Sequence, residues 1–100
     1  MSHKPTQAMA KNAEKGLNLH QKFDRGGTQV GFNRAKQLKH QENLSDDVIT
    51  KMYQYFRRHE VDKKAENFGN DEDPSAGYIA WLLWGGDEGY EWVTKLHDEQ

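Results

Sequence analysis

Residues 78–84 form the longest apolar run of the chain, with the sequence Tyr-Ile-Ala-Trp-Leu-Leu-Trp. Pro74 and Ser75 precede the run and Gly85-Gly86 follow it, which is the punctuation typical of a short helix. A helix that is apolar on every side has to be surrounded by other elements, because an exposed side would leave large apolar groups in water. The run therefore predicts a fold in which the other segments pack around one central helix.

A buried strand is the alternative for the same run. Seven apolar residues also fit a strand, and Gly85-Gly86 could form a hairpin turn that leads into residues 90–93. We favour the helix because polar and apolar residues do not alternate here and because Ser75 and Asp87 stand where the N-caps of two successive helices belong. The prediction is an all-α fold, and the alternative is an α+β fold with a C-terminal hairpin.

Four further helices are predicted from the spacing of apolar residues and from cap residues. The third is the clearest, because acids occupy its first turn and arginines its last, as the helix dipole prefers. Trp81 is expected to be buried between the first, third and last helices. The predicted helices span residues 6–20, 28–39 with Thr28 as N-cap, 46–59 with Ser45 as N-cap, and 87–96 with Asp87 as N-cap. Residues 63–73 are predicted to form an exposed loop anchored by Phe68.

One hundred residues allow a single domain. Only 17 of them are Leu, Ile, Val or Phe, as in many disordered chains, but a net charge of -2 and an aromatic content of 11% argue for a folded domain. Large aromatic side chains then supply the volume that aliphatic residues lack. We expect about four to five short helices in one compact domain over residues 7–96, with flexible ends at 1–6 and 97–100.

Charge is distributed unevenly along the chain. Residues 1–64 contain 13 Lys and Arg against 7 Asp and Glu, a balance of +6, whereas residues 65–100 contain 1 against 9, a balance of -8. This asymmetry indicates a basic surface suited to phosphate and a separate acidic surface. Solvated helix faces that differ by chance are the alternative explanation.

Several function classes are not supported by the composition. The chain has no cysteine, which excludes disulfides, thiolate catalysis and cysteine-ligated zinc. The N-terminal residues lack the apolar region of a signal peptide, and seven apolar residues are far short of the roughly 20 that cross a bilayer. We therefore expect an intracellular protein without a membrane partner.

Two motifs resemble catalytic motifs, but each lacks a residue that the chemistry requires. A zinc protease helix would need a second histidine four residues after His59, where Lys63 stands. The glycines of residues 26–31 have the spacing of a nucleotide-binding loop, but Phe32 and Asn33 occupy the positions of its lysine and hydroxyl residue. We expect no enzyme, no metal and no cofactor.

The glycine turn at the predicted start of the second helix, beside Arg25, could still hold an anion. A simple helix-entry turn is the alternative.

Three stretches, residues 26–38, 58–63 and 74–87, together resemble a small domain of tailed bacteriophages and prophages. The similarity extends over residues 24–92 and is strongest in Pro-Ser-Ala-Gly-Tyr-Ile-Ala-Trp-Leu-Leu-Trp-Gly-Gly-Asp. It implies a viral origin and a role in an infected bacterium, and it carries over no catalytic residue. This chain departs from the resemblance at Glu88, Tyr90 and Glu91, where relatives have small or basic residues. The resemblance therefore assigns no basic role to the last helix.

Two functions follow as hypotheses. The first is a monomeric, non-enzymatic phage accessory protein in the host cytoplasm that binds nucleic acid, duplex DNA above all, through phosphate contacts. The residues proposed for these contacts are Arg25, Lys36, Lys39, Lys51, Arg57, Arg58, Lys63 and Lys64. The second is a module that binds a host protein, or a virion or assembly component, through an acidic and aromatic surface that could mimic DNA. The residues proposed for that surface are Glu88, Tyr90, Glu91, Asp98 and Glu99.

Overall fold

Five α-helices make up most of the chain in the computed structural model, which describes residues 2–99. A 3-10 helix, Glu60–Lys64, follows the third of them, and two strands of two residues each, β1 (Ser2–His3) and β2 (Leu44–Ser45), pair antiparallel. The helices are α1 (Gln7–Phe23), α2 (Gln29–Lys39), α3 (Asp46–His59), α4 (Ala76–Leu83) and α5 (Gly86–Asp98). The all-α prediction is confirmed, and residues 90–93 are helical rather than part of a hairpin.

The apolar run forms α4, and α4 is central. Five of its eight residues are buried, and it packs against α1 with the two backbones close together. Gly16 permits this approach, because a Cβ at that position would lie 2.9 Å from the backbone nitrogen of Leu83. A glycine inside a helix is unfavourable in isolation, so Gly16 is explained by packing rather than by helix propensity.

Hydroxyl side chains cap four of the five helices, at Thr6, Thr28, Ser45 and Ser75. Each oxygen accepts a hydrogen bond from the backbone N–H three residues further on. Thr28 and Ser45 are therefore the caps that the sequence predicted. The first helix ends at Phe23 rather than at residue 20, because it continues until Asp24 takes a left-handed conformation with φ 53° and closes the last turn.

Asp87 is not the N-cap of α5, and this prediction was wrong. The helix begins one residue earlier, after Gly85 with φ 115°, so Asp87 already lies inside its first turn. Its carboxylate instead accepts a hydrogen bond of 2.9 Å from the indole nitrogen of Trp81 and lies 2.7 Å from Nζ of Lys63. Asp87 therefore joins α5 to α4 and to the 3-10 helix.

The start of the chain packs onto the helices. Besides its pairing with β2, His3 places Nε2 2.7 Å from a carboxylate oxygen of Asp46 and meets the ring of Trp92 edge to face, with centroids 6.5 Å apart. Pro5 is fully buried. Residues 2–5 thus contact α3 and α5, although the sequence placed them in a flexible end. Met1 and Gln100, also assigned to flexible ends, lie outside the described residues.

Within residues 2–99, no helix is both long and apolar enough to cross a bilayer. The same residues contain no group of three or more His, Asp or Glu side chains arranged to hold a metal ion.

Candidate functional site

A groove of about 640 Å³ opens between the start of α2, the outer face of α3 and the first turns of α4. Its volume lies within the range of roughly 300–1,000 Å³ typical of ligand sites. The residues that line it are Gly26, Gly27, Thr28, Val30, Lys51, Gln54, Tyr55, Arg58, His59, Asp62, Ala76, Gly77, Ala80 and Trp84. The lining comes from residues 26–30, 51–62 and 76–84, so segments far apart in the sequence converge on one cleft.

The turn at Gly26-Gly27 forms one wall of the groove. Both glycines have positive φ, 73° and 83°, and a Cβ on Gly26 would lie 2.5 Å from the carbonyl oxygen of Ala76. The turn therefore lies directly against the start of α4. Since Thr28 and Val30 also line the groove, the N-terminal end of α2, where the helix dipole is positive, borders it.

Lys51 and Arg58 form the opposite wall together with Gln54. The three residues lie at i, i+3 and i+7 on α3, which places their exposed side chains on one face of the helix. Among residues 2–99, neither cation has a carboxylate oxygen within ion-pair distance. The groove therefore holds two cations that form no ion pair within the described part of the chain.

An aromatic stack forms the floor of the groove. The ring of Tyr55 stacks on Trp84 with centroids 4.4 Å apart and on His59 at 4.5 Å. Tyr55 is only 6% exposed, and its buried hydroxyl has no hydrogen-bond partner in the described part of the chain. Burial raises the pKa of Tyr55, the carboxylate of Asp62 raises that pKa further, and Arg58 opposes the rise. The hydroxyl therefore lies in the electrostatic field of two groove residues, Asp62 and Arg58.

Among residues 2–99, Asp62 is the one acid that lines the groove. Its carboxylate lies 3.1 Å from Nδ1 of His59, and both side chains are about one-third exposed. The pair joins the end of α3 to the 3-10 helix that follows it.

Only two of the eight basic residues proposed from the sequence line the groove. Arg25 bonds the carboxylate of Asp73 at 2.6 Å and the carbonyl of Pro74 at 3.1 Å, and Lys63 pairs with Asp87. Lys39 lies 4.0 Å from a carboxylate oxygen of Glu14. Three of the proposed phosphate-binding residues thus already neutralise acids of the protein.

The remaining three basic residues lie outside the groove as well. Arg57 donates a hydrogen bond of 2.9 Å to the hydroxyl of Tyr53, which raises the pKa of the Arg57 guanidinium. Lys36 on α2 and Lys64 at the end of the 3-10 helix are exposed. The structure therefore does not bring all eight cations together on one site.

Tyr55 and Gln54 are groove residues that the sequence did not single out. The spacing of seven between Lys51 and Arg58 was a usable signal for a shared helix face, and Gln54 falls between them. No comparable signal existed for the floor, because it depends on how α3 packs against α4.

The exposed side of α5 carries the acidic surface proposed from the sequence. It holds a shallow depression lined by Tyr90, Glu91, Thr94, Lys95, Asp98 and Glu99. Tyr90 is half-buried rather than fully exposed, because its ring stacks on Phe56 at 5.1 Å. Glu88 accepts a hydrogen bond from Asn12. The acids share one helix with an aromatic anchor that also belongs to the core.

No protein-family model, curated protein or solved structure matches this chain significantly.

Proposed function

We propose that this protein is a non-enzymatic DNA-binding domain that contacts backbone phosphates at the groove. One observation carries the proposal. Lys51 and Arg58, which form no ion pair among residues 2–99, line the same concave surface as the N-terminal end of α2. Lysine and arginine supply the charge-assisted contacts to phosphate, and free N–H groups at a helix start add further donors. Such contacts position a protein on DNA without reading its sequence.

The proposed interface is smaller than the eight-residue surface expected from the sequence. Phosphate contact by Arg25, Lys39 or Lys63 would compete with the carboxylates that these residues already approach. The groove cations have no such competitor among residues 2–99. We therefore assign the phosphate contacts to Lys51 and Arg58, and expect weak sequence preference and strong dependence on salt.

The setting of this activity is also a proposal. The phage resemblance of residues 24–92 supports a role in the cytoplasm of an infected bacterium, with a virion component as the alternative. The chain shows no heptad repeat of the kind that specifies coiled-coil assembly, and we propose that it acts as a monomer.

Neutralising the two groove cations is expected to lower the salt dependence of DNA binding. In the double variant Lys51→Gln, Arg58→Gln, the slope of log affinity against log salt should fall by about 0.9 for each phosphate that is no longer neutralised, and two phosphates are affected. Fluorescence anisotropy of a labelled 12-base-pair duplex at several salt concentrations measures this slope. Thermal unfolding should change little, because both side chains are exposed.

The chain offers a matched control for this experiment. The double variant Lys36→Gln, Arg57→Gln removes the same charge from α2 and α3 but leaves the groove lining intact. Its salt slope should remain close to that of the unmodified protein. Equal reductions in both double variants would mean that the charge of the whole domain, and not the groove, determines binding.

A protein-binding module is the second candidate function. The observation that favours it is the acidic depression along α5, where Glu91, Asp98 and Glu99 surround the half-buried Tyr90. An aromatic group flanked by acids suits a basic partner surface.

A lysine-rich decapeptide tests this candidate. Amide shifts confined to residues 88–99 and weakened by Glu91→Gln, with Glu42→Gln as a charge-matched control on the opposite half of the chain, would support it. Absence of any shift at low salt would count against it.

A further inference from the structure

The shape of the groove bears on which phosphate it accepts. Its floor is closed by Tyr55 and Trp84, which are 6% and 8% exposed, while its two walls come from different elements. The backbone of a continuous duplex is a convex ridge that extends past any contact in both directions. A cleft with a closed floor is better suited to the end of a chain, or to a single nucleotide, than to the middle of a strand.

The donors around the groove favour a doubly charged group. Lys51 and Arg58 stand on one wall and the positive end of α2 on the other, so donors approach a central ligand from two sides. An internal phosphodiester carries one negative charge and two free oxygens. A phosphomonoester carries about -1.5 to -2 at pH 7 and has three strong acceptor oxygens, and it can use donors from both walls at once.

The unpaired hydroxyl of Tyr55 gives an independent indication of a ligand. The residue is more than nine-tenths buried, its O–H has no acceptor in the described chain, and it lines the groove. Buried hydroxyl groups in folded proteins almost always have a partner. Its electrostatic neighbours are Asp62 and Arg58, both groove residues, so a ligand oxygen that displaces the side chains covering the hydroxyl would be the missing partner.

Asp62 opposes an anion in the groove, and its effect is limited by its own partner. The carboxylate lies 3.1 Å from His59 Nδ1, and His59 lines the groove too.

From these observations we propose that the groove binds the terminal 5′-phosphate of a nucleotide, a phosphomonoester, in preference to an internal phosphodiester. Lys51, Arg58 and the first N–H groups of α2 hold the phosphate oxygens, and the Tyr55 hydroxyl donates to one of them. The source of the phosphate is the end of a DNA strand or a free mononucleotide. The choice of a nucleic-acid ligand rests on the function proposed above.

Two blunt 12-base-pair duplexes that differ only in a 5′-phosphate or a 5′-hydroxyl test the inference by fluorescence anisotropy. We expect the phosphorylated duplex to bind about tenfold more tightly, as one additional charge-assisted contact would give. Tyr55→Phe should reduce this preference severalfold, because it removes the O–H and retains the stacked ring. Thermal unfolding checks that the variant is folded, and Tyr53→Phe, on the same helix but outside the groove lining, is the matched control.

Competition with dAMP distinguishes the sources of the phosphate. Displacement of the phosphorylated duplex by dAMP at comparable affinity would support the monoester site and assign it to free nucleotides as well as ends. Binding of dAMP without binding of either duplex would support the site and remove the proposed DNA-binding function.

Other outcomes separate failure of the inference from failure of the function. Equal affinity for the two duplexes would overturn the preference for an end and leave DNA binding in place. No binding of either duplex or of dAMP would overturn both. Tighter binding of a phosphoserine peptide than of the phosphorylated duplex would also overturn the inference, in favour of a protein ligand.

Discussion

Replacing Trp81 with Ala is expected to lower the free energy of unfolding by about 3–5 kcal/mol, as is typical for removal of a buried aromatic side chain. Trp81 is 2% exposed. Its ring meets Phe56 of α3 edge to face at 4.8 Å and Tyr90 of α5 at 5.7 Å, and Phe68 of the connecting loop packs beside it at 6.0 Å. The substitution would leave a cavity among three elements and remove the N–H that bonds Asp87. Chemical denaturation followed by circular dichroism measures the change.

A domain of this size is stabilised by roughly 5–15 kcal/mol, so Trp81→Ala would approach complete unfolding. Trp81→Phe is the informative companion, because it keeps one six-membered ring in the cluster and removes only part of the buried volume together with the bond to Asp87. It should cost less than half as much as the alanine substitution. A melting temperature close to that of the unmodified protein for Trp81→Ala would show that this side chain is not part of the core, and would favour stacking on nucleic-acid bases as its role.

Replacing Gly26 with Ala is expected to cost about 2–5 kcal/mol in unfolding free energy. About 1–2 kcal/mol arises because φ at this position is 73°, a left-handed conformation that L side chains rarely adopt. A further contribution of about 1–3 kcal/mol arises from crowding, because the new Cβ would lie 2.5 Å from the carbonyl oxygen of Ala76 and 3.0 Å from Cβ of Ile79. Relief of this clash requires the turn to move away from α4, which would open the groove wall and weaken the proposed phosphate binding as well.

Gly69 provides the control for this substitution. It has φ 88°, but a Cβ there would meet nothing within 4 Å. Gly69→Ala therefore carries the backbone cost without the crowding, and we expect a destabilisation of about 1–2 kcal/mol with unchanged DNA binding. Equal destabilisation by the two substitutions would mean that the Gly26 turn can shift to accommodate a Cβ at no free-energy cost. Its contact with α4 would then not contribute to stability.

The sequence predicted the helices well because their ends depend on local chemistry. Thr28, Ser45 and Ser75 each cap a helix by a hydrogen bond to a backbone N–H three residues away, an interaction that does not depend on the rest of the fold. The prediction failed at Asp87, whose carboxylate could serve locally as a cap but accepts a hydrogen bond from another helix instead. Only packing decides between a cap and a bond to the indole of Trp81.

The site was less predictable because it is assembled from distant segments. That Lys51 and Arg58 share a face followed from helix periodicity, but that the Gly26-Gly27 turn stands opposite them did not. The pairing of Arg25 with Asp73, 48 residues away, likewise has no local signature. Charge counts along the chain could indicate a basic half, but they could not show which of its cations are already neutralised.

The edge contact between His3 and Trp92 has a consequence for how the chain can be rearranged. It brings β1 beside α5, and α5 extends only about 10 Å beyond Trp92. A short glycine-rich bridge could therefore connect the two ends, and the exposed segment near Gly69 could be cut to create new ones, since loops of this kind tolerate circular permutation. In such a permutant the groove would remain intact while the order of its contributing segments along the chain changed. Domains fused at residue 2 and at residue 99 would, for the same reason, both be attached beside α5.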